Sequence, residues 1–147
     1  MSEENVAAMS EESTTPDLVE LTRRLYEAAN AGDFDAITSF YGPDSVWDQP
    51  DGIATFEGEP AIRRFVEDWQ GSYEEYAVEV EEIVDLGGAV TSAISAQKGR
   101  PLGSGGDVQI RFAAVHLWAD GLIVRMTTYG DLDQGRAAAE QLAAELK

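Results

Sequence analysis

Few residues in this chain are equipped for chemistry. It has no cysteine and one histidine, His116. Thiolate nucleophiles, disulfides and Cys-ligated zinc are therefore excluded, as is any site that needs two imidazoles. A lone imidazole can still act as a base or a hydrogen-bond donor, because small shifts move its pKa across neutrality. It can equally be a buried, hydrogen-bonded space filler. Alternation along Val108 to Trp118 sets Phe112, Ala114, His116 and Trp118 on one strand face, and Arg111, Ala113, Val115 and Leu117 on the other. Trp47 and Gln49, two residues apart, also share a face, with Asp48 opposite. An indole beside an amide can grip a flat apolar ligand by stacking plus a hydrogen bond, although both would serve as core wall without one. Met126 and Thr128 share a face of a later run, where a methionine fills gaps. The loop acids Asp51, Glu57 and Glu59 read as a solvated rim, since three oxygens at an opening hold a hard cation only weakly. No metal site and no cofactor site is read from these residues.

These side chains need a scaffold, and 147 residues suffice for one core but not two. Hydrophobic residues at 44% rule out disorder throughout. A formal charge of −18 removes the phosphate attraction on which nucleic-acid binding depends. The opening residues lack the basic start and apolar run of a signal peptide, so a cytoplasmic protein with no membrane partner is expected. Residues 1 to 15 read as a disordered acidic tail, and residues 16 to 147 as one domain.

Apolar residues at Leu18, Leu21, Leu25, Ala28 and Ala29 make one stripe of a helix that starts at Thr15, Pro16 and Asp17 and stops at Gly32. Asp33 then caps a shorter helix carrying Phe34, Ile37 and Phe40. Gly42, Pro43 and Asp44 read as a turn, Ser45 to Gln49 as a short strand, and Pro50 to Pro60 as a loop. A third helix carries Ala61, Ile62, Phe65, Val66 and Trp69 on its apolar side. Tyr76, Val78 and Val80 then alternate with Glu79 and Glu81. The break at Glu82, Ile83 and Val84 implies a bulge that returns the acids to solvent and the apolar side chains to the core. Strands over Ala89 to Gln97, Val108 to Trp118 and Leu122 to Tyr129 follow, with a flexible loop at Lys98 to Asp107. Asp131 caps a last helix bearing Ala137, Ala138, Leu142, Ala143 and Leu146. This order of elements is α+β, with the helices gathered on one side of the sheet.

Four stretches, "LYEAANAGDFDAITSFYGPDSVWDQP", "FEGEPAIRRFVEDW", "AVHLWADGLIVRMTTYGD" and "LDQGRAAAEQLAAEL", resemble the SnoaL-like branch of the nuclear-transport-factor-2-like superfamily. The resemblance implies a cone: a curved antiparallel or mixed sheet with helices packed in its concave face and ligands entering the open end. It turns Trp47, Gln49, His116, Trp118, Met126 and Thr128 inward, and sets Phe65 and Trp69 as a seal from the third helix. It also implies a homodimer through the outer sheet face, where Arg111, Val115, Leu117, Arg125, Thr127 and Tyr129 would lie.

The same resemblance leaves the relatives' catalytic positions empty. Matched to ketosteroid isomerases, the general-base Asp falls on Gln49, which has no titrating form near neutrality. The oxyanion-stabilising Tyr falls on Leu25, with Tyr26 adjacent and directed elsewhere, and the protonated Asp falls near Ala114. Matched to limonene-epoxide hydrolases, the Arg and the first Asp fall on Ile94 and Ala96 and the second Asp on Thr128, while the aromatic and amide pair persists as Trp47 and Gln49. Fold leaves function open. The expectation is a binder of a small apolar molecule. The alternatives are an isomerase, epoxide hydrolase or polyketide cyclase using His116, and a structural or protein-interaction module.

Overall fold

The computed structural model describes residues 17–49 and 54–146. The expected acidic tail, residues 1–15, and the rim acid Asp51 lie outside the described residues. Helix α1, Leu18–Ala31, begins where the Asp17 carboxylate accepts the Glu20 backbone N–H, and ends at Gly32 in the left-handed conformation, φ 67°. Asp33 repeats the device for α2, Phe34–Thr38, by accepting the Ala36 N–H at 3.1 Å. Helix α3, Glu59–Gly71, buries Ile62 and Val66 and leaves Arg63 outside, paired with Asp35 and Glu67. No helix among the described residues is long and apolar enough to cross a membrane.

Six strands form one mixed sheet: β1 Tyr41–Gln49, β2 Ala54–Glu57, β3 Tyr73–Gly87, β4 Val90–Pro101, β5 Val108–Ala119 and β6 Leu122–Tyr129, in the order β2-β1-β6-β5-β4-β3. The β1–β6 pair is parallel and the remaining pairs are antiparallel. Asp120 and Gly121, at φ 54° and 79°, supply the two positive φ values that a tight turn between β5 and β6 requires. The pairing of β3 with β4 slips between Val80 and Glu82. That bulge keeps Ile83 packed on the main core, with Glu82 outside beside Arg136. Val84, expected inside with Ile83, is instead 38% exposed, because the strand alternates again after the bulge.

Three segments expected as turn or loop are strand in whole or in part. The sequence Gly42, Pro43 and Asp44 does not end an element; it lies within β1, whose pairing with β6 shifts between Tyr41 and Val46. Ser45 Oγ donates to the Gly42 carbonyl there, which satisfies a backbone group that the irregular ladder leaves over. The "ATFE" segment inside the acidic loop pairs with β1 as β2, and β4 runs on through Lys98, Gly99 and Arg100.

Helices α1, α2 and α3 fill the concave face, where Leu25, Ile37, Ile62 and Val66 meet Ala93, Ala114, Ile123 and Met126. Helix α4, Leu132–Leu146, lies on the other face: Ala139 and Ala143 pack with Val90 and Val115, and Leu117 and Tyr129 border them. The middle of the surface expected to pair with a second copy is thus covered by the chain's own C-terminal helix. Outside that patch, Arg111 pairs with Glu81 and Arg125 with Asp48. Close approach explains a glycine inside α4, since a Cβ at Gly135 would overlap the Cβ of Ala113 on β5. Gly135→Ala should therefore lower stability by about 1–3 kcal/mol in urea denaturation. Gly71→Ala, where nothing lies within 4 Å, should cost nothing measurable.

Candidate functional site

The centre of the inner sheet face carries short side chains. Rows across the strands pair Ala93 with Ala114, and Ser95 with Phe112. Ser95 and Ala114 leave volume that longer residues would fill, and three helices roof it. The result is a cavity of about 280 Å³. Trp47, Gln49, Trp69, Met126 and Thr128 line it. The indole of Trp47 donates to Thr128 Oγ1 at 3.2 Å and meets the ring of Phe65 edge-on at 5.0 Å. Phe65 in turn stacks on Phe56 at 4.3 Å, so one aromatic wall joins β1, β2 and α3.

His116 and Trp118 are not in that lining. The His116 ring is completely buried, and Trp118 is 3% exposed with its indole N–H donating to Thr91 Oγ1 at 2.9 Å. Between His116 and the cavity stands Tyr26, which lines the hollow with its hydroxyl 3.2 Å from His116 Nε2. Tyr26 was expected to point elsewhere. The roofing face of α1 is broad enough to present two successive residues, Leu25 and Tyr26, to the same hollow. On β4 the expected epoxide-hydrolase positions Ile94 and Ala96 belong to the face opposite the cavity, which Ser95 and Gln97 line instead.

The lining among the described residues contains no Asp, Glu, His, Lys or Arg. Its titratable members are three phenols, and burial raises each: Tyr76 is pushed up to about 12, while Tyr26 and Tyr41 rise further. Tyr41 donates its proton to Met126 Sδ at 3.2 Å. Among the described residues, no group facing the hollow changes charge near neutral pH, so none of them can serve as a general base there. The described residues also hold no cluster of three acidic, His or Cys side chains suited to a metal ion.

The SnoaL-like domain model matches residues 22–126, which run from the middle of α1 to the middle of β6. The chain belongs to the SnoaL-like family. No curated protein matches it significantly. Among solved structures, a protein of ketosteroid isomerase-like fold from Catenulispora acidiphila, in complex with trimethylamine, is similar with a TM-score of 0.69 at 14% identity, over 87% of this chain and 94% of its own. A nuclear-transport-factor-2-like protein of unknown function from Burkholderia pseudomallei gives 0.70 at 17%, over 85% and 98%. TerC, co-crystallised with polyporic acid, gives 0.67 at 18%, over 84% and 97%. At such identities these likenesses concern the fold.

In this SnoaL-like chain the hydrogen bonds behind Tyr26 have one consistent direction. Thr22 donates its only hydroxyl proton to the Leu18 carbonyl at 2.7 Å, so the 3.0 Å contact between Thr22 and Thr91 requires Thr91 to donate. With its proton committed, Thr91 cannot donate to His116 Nδ1. Nδ1 therefore carries the hydrogen, directed at Thr91 Oγ1 and the Thr91 carbonyl, at 3.2 and 3.3 Å. Nε2 is left as the acceptor, and Tyr26 donates to it. Burial pushes the imidazole down to about 4, against the opposing effect of the Thr91 carbonyl.

His116 thus stays neutral and fixes the direction of the Tyr26 hydroxyl. Its folded pKa lies below its unfolded value of 6.5. The unfolded state binds the extra proton first on acidification, so the contribution is whole above about pH 6.5 and is lost as pH falls toward 4. Relative to His116→Gln, the wild type should lose about 3 kcal/mol across that window, read as the pH dependence of urea unfolding free energy.

Proposed function

We propose that this SnoaL-like chain binds a small, neutral, largely apolar molecule in its cone and performs no acid–base chemistry on it. One observation carries the reading: a cavity of about 280 Å³ has walls of aromatic and aliphatic side chains with a few amides and hydroxyls, and no charged group among its described lining. An ion entering such a hollow would lose hydration and meet no counter-charge, whereas a neutral ring system loses little. The enzyme alternative built on His116 has less support, because that imidazole is fully buried, neutral and engaged on both nitrogens. The complexes of two fold relatives with trimethylamine and polyporic acid are consistent with small-molecule occupancy of this kind of fold.

Titration with two fluorescent probes tests the reading. Neutral N-phenyl-1-naphthylamine should saturate one site per chain, and anionic 8-anilino-1-naphthalenesulfonate, with similar rings, should bind about tenfold more weakly or not at all. Ala114→Leu on the sheet and Ala29→Leu on the roof each add bulk to the lining from opposite walls, and each should weaken the neutral probe while the melting temperature holds. Equal or tighter binding of the anion, or neutral-probe binding indifferent to both substitutions, would overturn it.

A further inference from the structure

We propose that the bound molecule carries a carbonyl oxygen, and that Gln97, assisted by Ser95, is the residue pair that selects it. The inference rests on reading the cavity as a ligand site. Its starting point is the orientation of one amide. An indole N–H donates and never accepts, and the Trp69 indole lies 2.9 Å from Gln97 Oε1. The Tyr76 hydroxyl reaches the same oxygen at 2.6 Å. Two donors on one atom require that atom to be the amide oxygen, and together they fill its two lone pairs. The Gln97 side chain is therefore pinned, from α3 on one side and β3 on the other, with its Nε2 protons committed to neither.

Those protons have no partner among the described residues, and neither has the hydroxyl of Ser95, a residue 3% exposed. Ser95 and Gln97 stand two apart on β4, so they share the inner face, and both line the cavity. Their cross-strand neighbours on β3, Val80 and Val78, are apolar and offer nothing to bond. A buried donor without a partner, as Ser95 is, is uncommon in native proteins and marks a place where something else supplies the acceptor; the half-buried Gln97 amide borders the same space. Three other polar groups of the wall are engaged: Thr128 accepts from Trp47, the Gln70 amide donates to the Ala29 carbonyl, and the Tyr26 proton is held by His116. The Gln49 amide, also without a side-chain partner among the described residues, stands on β1 with β6 and β5 between it and the Ser95–Gln97 pair. Donors left over in an uncharged, apolar hollow suit a neutral molecule with an acceptor oxygen. A ketone or quinone oxygen on a flat ring system matches both the donors and the aromatic wall.

Two neutral probes of nearly equal shape separate this from a general preference for apolar molecules: 2-acetylnaphthalene, and 2-isopropenylnaphthalene, in which a methylene replaces the carbonyl oxygen. Each is titrated calorimetrically into the full chain at pH 8. Gln97→Glu keeps an oxygen for Trp69 and Tyr76 and replaces the donating NH2 by an accepting oxygen. It should weaken the ketone about tenfold and leave the alkene within about twofold. Ser95→Ala, a smaller change on the same face, should weaken the ketone about threefold with the alkene again unmoved. If the alkene binds and neither substitution changes the ketone-to-alkene affinity ratio, the carbonyl assignment is overturned while the ligand-site reading survives. If neither probe binds the wild type, both fall.

Discussion

The hollow in this protein depends on how α1 is held against the sheet. The bonds that hold it are buried and directional: Leu18 carbonyl, Thr22, Thr91, His116 and Tyr26 form one chain from the start of α1 across β4 and β5 and back to the helix. Thr22 and His116 are wholly buried, so each unmade bond would leave a polar group without water. Asn30, at the other end of the helix, accepts the Val78 N–H at 3.0 Å and ties α1 to β3. A helix fastened at both ends cannot sink into the space above Ser95 and Ala114. A cavity that ordinary packing would close stays open.

The two faces of the sheet have divided the work. The inner face has small residues at its centre and aromatic ones around it, with the tilted rings of Phe65 and Trp69 6.3 Å apart along α3. The outer face is closed by α4, brought against β5 through Gly135. Because of that, β4 is buried on both sides: Ile94 and Ala96 are 3% and 1% exposed, as enclosed as Ala93 and Ser95. The alternation along β4 is inverted, with polar Ser95 and Gln97 toward the cavity and apolar Ile94 and Ala96 on the outer side, so a polar-out rule points to the wrong face. This is why the residues matched by family position were Ile94 and Ala96 when the cavity residues are Ser95 and Gln97.

Polarity inside the cone is set by groups whose hydrogen-bonding capacity is used up elsewhere. His116 never meets the cavity, yet it decides which way the Tyr26 hydroxyl points. Trp69 and Tyr76 act on Gln97 in the same manner. Each pair links segments far apart in the chain, with 90 residues between Tyr26 and His116 and 28 between Trp69 and Gln97. The absence of charge in the described lining is notable in a chain of net charge −18. The acids among the described residues lie on the surface, paired with the few arginines or exposed to water.

Much of this was legible in the amino-acid sequence, namely whatever a few neighbouring residues decide among themselves. Asp17, Asp33 and Asp131 cap helices because a carboxylate can reach a backbone N–H two or three residues ahead. Asp120 and Gly121 turn a hairpin because their backbones tolerate positive φ. The bulge before Glu82 follows from a break in alternation. The family likeness also gave the cone and the inward set of Trp47, Gln49, Trp69, Met126 and Thr128. Tertiary structure alone decided that β2 pairs inside a loop rich in turn formers, and that α4 lies on the outer face. It also decided that His116 serves Tyr26 and that the Gln97 amide faces as it does. Those outcomes depend on where distant segments come to rest, and periodicity or spacing along one segment holds no record of what packs against it.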